Sequence, residues 1–280
     1  MIGLPAWARR LQDLLLTSAA ALYAVPLYLM VTLSVKTDLE AAFRPFALPS
    51  SFRVENYTAA WRASAVSSNA SLAPAMLNSL LVTVLSIAGL VLSGALAGYV
   101  LARRRERVAE WIFVLFLVGM TVPQQLGLVP LFQLIRDLGL VGSPMGLVLI
   151  NLGVLAPLTV FLYTSFIRGL PPEYEEAALM DGASHLRIFW HVVLPLVRPV
   201  TATVVVIHGV HVWNDFFTPL IFLLGSGAET LPVAIFSLVG EYSTDWGPIF
   251  AGTVIASAPA LLVFVFLQRH IVRGFSGGLK

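Results

Sequence analysis

The stretch MLNSLLVTVLSIAGLVLSGALAGYVLA, from Met76 to Ala102, carries no charged side chain. An α-helix needs about 20 mainly apolar residues to cross the hydrocarbon core of a bilayer. A helix also satisfies its backbone hydrogen bonds internally, which lipid demands of any spanning segment. The stretch therefore predicts a membrane-spanning helix and places the chain among α-helical membrane proteins.

Composition extends this prediction to the whole chain. Hydrophobic residues make up 58% and charged residues 11% of the sequence, against roughly 25% charged in an ordinary soluble domain. Too few charges are present to build a surface that faces water. Cysteine is absent, which excludes disulfides, thiolate catalysis, cysteine zinc sites and iron–sulfur clusters. The net charge is only +2, and the basic residues lie in short loops, so a nucleic-acid partner is not indicated.

Six apolar segments can be distinguished along the chain. The third is interrupted by Pro123-Gln124-Gln125 and the fifth by Trp213-Asn214-Asp215. We expect an all-α polytopic fold with six transmembrane helices in a single transmembrane domain over residues 1–280. The approximate bounds of the predicted spans are 14–35, 76–102, 111–132, 147–167, 200–224 and 248–268.

The basic residues predict the orientation of these spans. Cytoplasmic loops keep Lys and Arg, whereas translocated loops lose them. With the N-terminus in the cytoplasm, the clusters at 9–10, 103–107, 168–198 and 269–280 all become cytoplasmic. The opposite side receives fewer basic residues, namely Lys36, Arg44, Arg53, Arg62 and Arg136. We therefore expect both termini inside and the long loop 36–75 outside.

A polar insert separates the fourth and fifth spans. It reads EYEEAALMDGASHLRIFWHVVLP over residues 173–195. The preceding prolines and the three glutamates suit a helix N-terminus, Gly182 suits its exit, and Ser184 suits the cap of a second helix. In that second helix we expect one apolar face, formed by Leu186, Phe189, Trp190 and Val193.

The insert has two other interpretations, of which one fits the sequence and one does not. Periodicity alone also fits an amphipathic connector that lies on the membrane surface. A helix-turn-helix that binds DNA does not fit, because both ends are tethered within a few residues of the bilayer.

The insert resembles the signature of membrane-spanning permease subunits of binding-protein-dependent ABC importers, in particular the carbohydrate-uptake branch. That signature runs Glu-Ala-Ala, three residues, Gly, nine residues, Ile, one residue, Leu-Pro. Only Val192 departs from it, in place of isoleucine. The matching residues are Glu176, Ala177, Ala178, Gly182, Leu194 and Pro195. Further matches are Asn56-Tyr57, Trp61, Asn78-Ser79, Pro123, Pro130, Trp213-Asn214-Asp215, Leu231-Pro232 and the tail 268–280.

The resemblance implies a type I ABC importer permease in a bacterial or archaeal plasma membrane, surrounded by lipid. The partners it implies are a second permease subunit, a cytoplasmic ATPase dimer and an external solute-binding protein. No cofactor is expected on this chain, since ATP and Mg would sit on the ATPase, and the cargo would be a sugar, oligosaccharide or polyol. The residues it assigns to ATPase coupling, within the loop 168–198, are Glu176, Ala177, Ala178, Asp181, Gly182, Leu194 and Pro195.

The chain itself has no P-loop, because neither of its two lysines, Lys36 and Lys280, stands in the Gly-x-x-x-x-Gly-Lys-Ser/Thr pattern. Energy must then come from elsewhere, and a coupling loop would supply it. His208 and His211 are spaced to share a helix face, but no third metal ligand is evident. With Asp215 they leave open a second class, an ion- or proton-coupled secondary transporter.

Polar residues within spans mark an interior or a pathway, because lipid does not solvate them. On this ground Gln124, Gln125, Asn214 and Asp215 are candidates to line the substrate pathway. The alternative for Asn214 and Asp215 is hydrogen bonding between helices or at a helix end. For the two glutamines it is repair of the backbone beside Pro123.

Overall fold

The computed structural model describes residues 6–62, 72–104, 106–239 and 245–277. Within these ranges, side chains are described for residues 7–262. All regular structure in these ranges is helical. Arg105 and the last three residues of the tail lie outside the described residues. The α-helices are α1 (Ala6–Leu33), α2 (Asp38–Phe43), α3 (Glu55–Arg62), α4 (Leu72–Arg103), α5 (Arg107–Gly119), α6 (Leu128–Asp137), α7 (Pro144–Arg168), α8 (Glu173–Met180), α9 (His185–Ile188), α10 (Leu194–Leu196), α11 (Arg198–Asn214), α12 (Phe217–Leu223), α13 (Leu231–Phe236) and α14 (Trp246–Gly277). A 3-10 turn (Gln124–Gly127) precedes α6, and a π-helical turn (Phe189–Val193) joins α9 to α10.

Three of these helices, α1, α4 and α7, are each long and apolar enough to cross a membrane. Up to five crossings result if two bent pairs each form one span, Arg107–Gly119 with Gln124–Asp137 and His185–Leu196 with Arg198–Asn214. Within α14, Trp246–Leu262 is apolar but shorter. The all-α, multi-helix membrane fold is confirmed. Six crossings with both termini inside stay a prediction.

Two predicted spans are broken rather than continuous. The third, 111–132, bends by 98° between α5 and α6, because Pro123 has no N–H with which to continue the helix. The fifth, 200–224, ends its first helix at Asn214 and turns at Asp215, whose backbone is extended (φ −65°, ψ 122°). Both breaks fall at the polar interruptions noted in the sequence.

The chain divides into two compact units, residues 74–233 with 259–280 and residues 1–73 with 234–258. In the first unit, α4 and α7 run parallel in close contact. A Cβ added at Gly94 would lie 2.4 Å from Thr159 Cγ2, and one at Gly98 would lie 2.5 Å from Tyr163 Cβ. Glycines at this spacing let two helix backbones approach closely inside a membrane.

A line of buried polar side chains, here called the polar seam, connects α4, α7 and α11. Asn151 Nδ2 donates to Ser86 Oγ at 3.1 Å, and Tyr163 Oη donates to Thr201 Oγ1 at 2.9 Å. His208 Nε2 and Thr159 Oγ1 are 2.9 Å apart. These six residues, all buried except the partly exposed Thr201, form hydrogen bonds with one another inside the helix packing. α11 thus packs antiparallel to α7.

The second unit contains the loop after α1. Lys36 is buried, and its ammonium donates to the carbonyls of Arg44 and Pro45 at 2.9 Å and 2.8 Å. The amide of Asn56 donates to the carbonyls of Ser34 and Lys36. These bonds anchor the α2 and α3 segments to the end of α1.

Candidate functional site

The insert between α7 and α11 folds as two short helices around a glycine. Pro172 precedes α8, and three glutamates lie in its first turn, where their charge complements the positive end of the helix. The helix ends at Asp181, and Gly182 follows with φ +79°. Side chains other than hydrogen are disfavoured at that angle. The predicted glycine elbow is confirmed; α8, Gly182 and α9 together are called the coupling elbow.

The cap predicted for the second helix is also present. Ser184 Oγ accepts from the backbone N–H of Arg187 at 3.4 Å and opens α9. The predicted apolar face is only half right. Phe189 and Val193 are buried, whereas Leu186 and Trp190 are exposed and Ile188 is buried instead. The π-helical turn accounts for Trp190, because its wider turn rotates side chains away from 3.6-residue spacing, whereas Leu186 lies before that turn.

The coupling elbow presents an exposed surface of mixed character. Met180 is 89% exposed, and Tyr174, Leu179 and Leu186 are exposed as well. Glu176, Ala177, Asp181 and Gly182 are also exposed, whereas Ala178 and Leu194 are partly buried against the core of the α7–α11 unit. Pro195 lies exposed in α10. Clustered exposed apolar side chains rimmed by charges are typical of a docking surface.

One carboxylate of α8 faces the opposite way, and no feature of the sequence distinguishes it from the neighbouring glutamates. Glu175 Oε1 lies 2.7 Å from Arg103 Nη2 at the end of α4, and Oε2 accepts from the hydroxyl of Tyr99 at 3.0 Å. Arg103 Nη2 also donates to the carbonyl of Leu170 at 3.3 Å. The spacing of Arg103 and Tyr99, one helical turn apart, is a signal that becomes informative only once α4 and α8 are known to meet.

The candidate pathway residues lie at the two helix breaks. The structure brings one of them from each break, Gln124 and Asp215, into hydrogen bonds with the same residue. Gln124 Nε2 donates to Thr218 Oγ1 at 3.3 Å, and the Thr218 N–H donates to Asp215 Oδ1 at 3.3 Å. Thr218 was missed by the sequence analysis. Asn214 instead donates to the carbonyl of Val210 in its own helix at 2.9 Å. Gln125 is exposed.

The histidines do not form the relay that a proton-coupled transporter would need. His208 is buried with 1% exposure and bonded to Thr159, whereas His211 is exposed. Asp215 is occupied in starting α12. Among the residues that the structure describes, no group of three or more His, Asp or Glu side chains could hold a metal ion.

Comparison with known proteins follows the same direction. Residues 91–277 match the family described as "Binding-protein-dependent transport system inner membrane component". The melibiose/raffinose/stachyose import permease protein MelC of Bacillus subtilis is 33% identical over 96% of this chain and 95% of its own length. The diacetylchitobiose uptake system permease protein NgcG of Streptomyces coelicolor is 35% identical over 91% of this chain and 83% of its own length.

A solved structure supports the fold. A chain of a bacterial ABC transporter involved in the import of the acidic polysaccharide alginate aligns with a TM-score of 0.82. The alignment covers 96% of this chain and 99% of that chain at 21% identity. These findings confirm the resemblance stated from the motif, and they agree with the apolar helices in placing the chain in the inner membrane as a multi-pass transport component.

Proposed function

The chain belongs to the family of inner membrane components of binding-protein-dependent transport systems, and we propose that it carries a sugar-type solute across the membrane for an ATP-driven importer. It is a transporter subunit rather than an enzyme. The observation that carries the proposal is the coupling elbow, whose exposed apolar and acidic surface is held in a fixed geometry by Gly182 and Ser184.

The partner of that surface is a cytoplasmic ATPase dimer. Exposed Met180 and Leu179 can insert into an apolar groove, while Glu176 and Asp181 contribute charge at the rim. ATP and Mg²⁺ bind on the ATPase, which supplies the phosphate-binding loop that this chain lacks. Closure of the ATPase dimer then displaces the elbow and switches the permease between its two access states.

Two further partners complete the importer. A second permease subunit pairs with this chain in the membrane, and an external binding protein delivers the solute. The relatives named above are permeases for melibiose, raffinose, stachyose and diacetylchitobiose. Their shared chemistry supports an oligosaccharide, sugar or polyol as the cargo of this chain.

The pathway runs past the two helix breaks. Gln124 and Asp215 are linked through Thr218, and polar groups at broken helices are tolerated in a membrane where they line a cavity. Gln125 and Asn214 lie beside them in sequence and offer further amide groups. Amides and carboxylates suit a hydroxyl-rich solute, because amides donate and accept hydrogen bonds and carboxylates accept them.

The function is tested with the complex reconstituted in proteoliposomes together with its binding protein. Melibiose, raffinose, stachyose, diacetylchitobiose and a polyol are each tested for stimulation of ATP hydrolysis. Stimulation by one of them that is lost in the Gly182→Leu variant is the expected result. An imposed proton gradient that drives uptake without ATP would instead support the secondary transporter.

The proposed orientation has its own test, which uses the absence of cysteine. Single cysteines at Ser67 and Ser226 should react with an impermeant thiol reagent added outside, and cysteines at Ser184 and Ser276 should not. Ser67 lies outside the described residues. The reverse labelling pattern would overturn the orientation and the cytoplasmic location of the elbow.

A further inference from the structure

The ion pair between Arg103 and Glu175 stands apart from the docking surface. The side chains of Arg103 and Glu175 retain 23% and 13% exposure. Glu175 receives two donors, the Arg103 guanidinium and the Tyr99 hydroxyl, one on each carboxylate oxygen. Charge-assisted bonds of this kind in a sheltered site are stronger than exposed ion pairs. The first turn of α8 is thereby fastened to the last turn of α4.

Tyr99 and Arg103 are themselves held in place. The Tyr99 ring packs against Phe189, with ring centroids 5.7 Å apart. The Arg103 guanidinium also reaches the carbonyl of Leu170, in the short link between α7 and α8. The elbow is also continuous with α7 and α11, and Ile188 of α9 is buried in the core cluster that contains Ala95 and Tyr163. The ion pair adds a direct link between α8 and the end of α4.

α4 is packed closely against α7. Gly98 lies so close to α7 that an added Cβ would be 2.5 Å from Tyr163 Cβ and 3.0 Å from the backbone nitrogen of Thr164. Arg168, at the end of α7, donates to the carbonyl of Leu101 at 3.5 Å and lies over the ring of Phe113 at 4.6 Å. The ends of α4 and α7 and the middle of α5 are thus joined close to the part of α4 where Glu175 binds.

We propose that the Arg103–Glu175 pair, supported by Tyr99, is the link through which movement of the coupling elbow is transmitted to α4. The inference rests on the proposed function, since it concerns how an ATPase-driven displacement leaves the elbow. Glu175 and Arg103 are positioning residues in this account. Glu176 contacts the ATPase from the exposed side of α8, while Glu175 pulls on the membrane helix from the sheltered side.

The test measures whether α8 and α4 move together in the complete complex. Spin labels are attached to cysteines at Val100 and Glu173, both exposed and on the two helices concerned. Their separation is measured by electron paramagnetic resonance with ADP and with ATP plus vanadate. In the parent chain we expect one narrow distance that is the same in both states. Arg103→Glu or Glu175→Arg should replace it by a broad distribution that changes with nucleotide.

Three further variants separate charge pairing from general disruption. The exchange variant Arg103→Glu with Glu175→Arg should restore the narrow distance, and Glu175→Gln should loosen it partly while keeping the side-chain shape. Arg136→Glu breaks the exposed ion pair with Asp137 and serves as the matched control, for which no change is expected.

The outcomes that would overturn the proposal are distinct. If Arg103→Glu or Glu175→Arg leaves the distance between the spin labels narrow while the ATPase remains bound, the ionic link is overturned and the proposed function is not. A parent distance that changes with nucleotide would show that the pair opens during the cycle and would also overturn it. If the ATPase does not bind the parent chain, the proposed function fails and the transmission fails with it.

Discussion

The coupling elbow and the polar seam have opposite designs. The elbow exposes apolar side chains; one glycine angle and one serine cap shape it, and one ion pair and the buried Ile188 hold it. The seam consists of polar side chains that are buried, apart from the partly exposed Thr201, and it lies beside glycines too tightly packed to accept a methyl group. The elbow therefore offers a surface that a partner can reach, whereas the seam is enclosed by helix packing. The contact of Arg103 with Glu175 joins the elbow to α4, one of the helices that carry the seam.

Breaking the seam should have the largest effect. Gly98→Ala places a Cβ against Tyr163 Cβ and the Thr164 backbone, atoms that cannot rotate away, and overpacking of this kind costs about 1–3 kcal/mol. We expect a lower unfolding temperature of the purified protein and reduced membrane levels.

Gly153→Ala is the matched control for this variant. Gly98 lies in α4, and Gly153 lies in α7, the helix against which α4 packs. A Cβ added at Gly153 would meet nothing within 4 Å. Since alanine favours a helix over glycine by up to ~1 kcal/mol, this change should leave stability equal or higher. A loss as large as that of Gly98→Ala would refute the close-packing explanation.

Breaking the elbow should preserve the fold and remove transport. Gly182→Leu forces a branched side chain into φ +79°, and Glu176→Ala removes an exposed charge. We expect normal membrane levels, with ATPase co-purification and binding-protein-stimulated ATP hydrolysis reduced roughly tenfold, equivalent to ~1.4 kcal/mol of binding free energy.

Gly225→Leu controls for backbone strain, because Gly225 has φ +77° in open space but lies outside the elbow. The two leucine variants should share a similar strain and differ in ATPase binding. If Gly182→Leu and Glu176→Ala both retain full binding-protein-stimulated ATP hydrolysis, the elbow has no role in coupling.

Changes at the helix breaks should have intermediate effects. Asp215→Asn keeps the shape of the side chain that accepts from Thr218, and Gln125→Leu replaces an exposed amide by an apolar group of similar size. If these residues line the pathway, the apparent affinity or rate of uptake of the stimulating sugar changes while the complex still assembles. Complex assembly that falls in parallel with uptake would favour the helix-packing role.

The smallest effect is expected in α2, a short helix that, like α8, is held in place by a carboxylate that accepts hydrogen bonds. In α2, Glu40 accepts from Ser50 and from the backbone of Thr37. The bond from the Ser50 hydroxyl is the main cause that holds the pKa of Glu40 below its ordinary value of 4.5.

A lowered pKa contributes stability above the unfolded value that is lost as the pH falls through the folded value. The amide of Arg44, which bonds to the Glu40 carbonyl, should therefore exchange more slowly in the parent than in Glu40→Gln at neutral pH. The difference should begin to shrink near pH 4.5, the ordinary value, and disappear as the pH falls through the lower pKa of folded Glu40. A difference that persists in acid would exclude the carboxylate as its cause. Amides of α3 serve as the control.

Much of the functional surface was predictable because it depends on local chemistry. Pro172, Gly182 and Ser184 act within one or two turns of their own backbone, so their pattern alone predicted the elbow and its cap. The positions of the helix breaks were visible for the same reason, at Pro123 and at Asn214-Asp215. The apolar face of α9 was mispredicted because a π-helical turn changes the spacing without a sequence signal that we could read.

By itself, the sequence determined the environment, the helical class and the docking motif, since hydrophobicity and short-range backbone preferences are properties of consecutive residues. Only the tertiary structure decided which of the three glutamates of α8 are exposed and which one pairs with Arg103, which lies 72 positions earlier in the chain. It also decided that His208 bonds to Thr159 while Gln124 meets Thr218. Such contacts depend on how separate helices pack, and side chains distant in the chain become neighbours only when glycines and small residues let those helices approach.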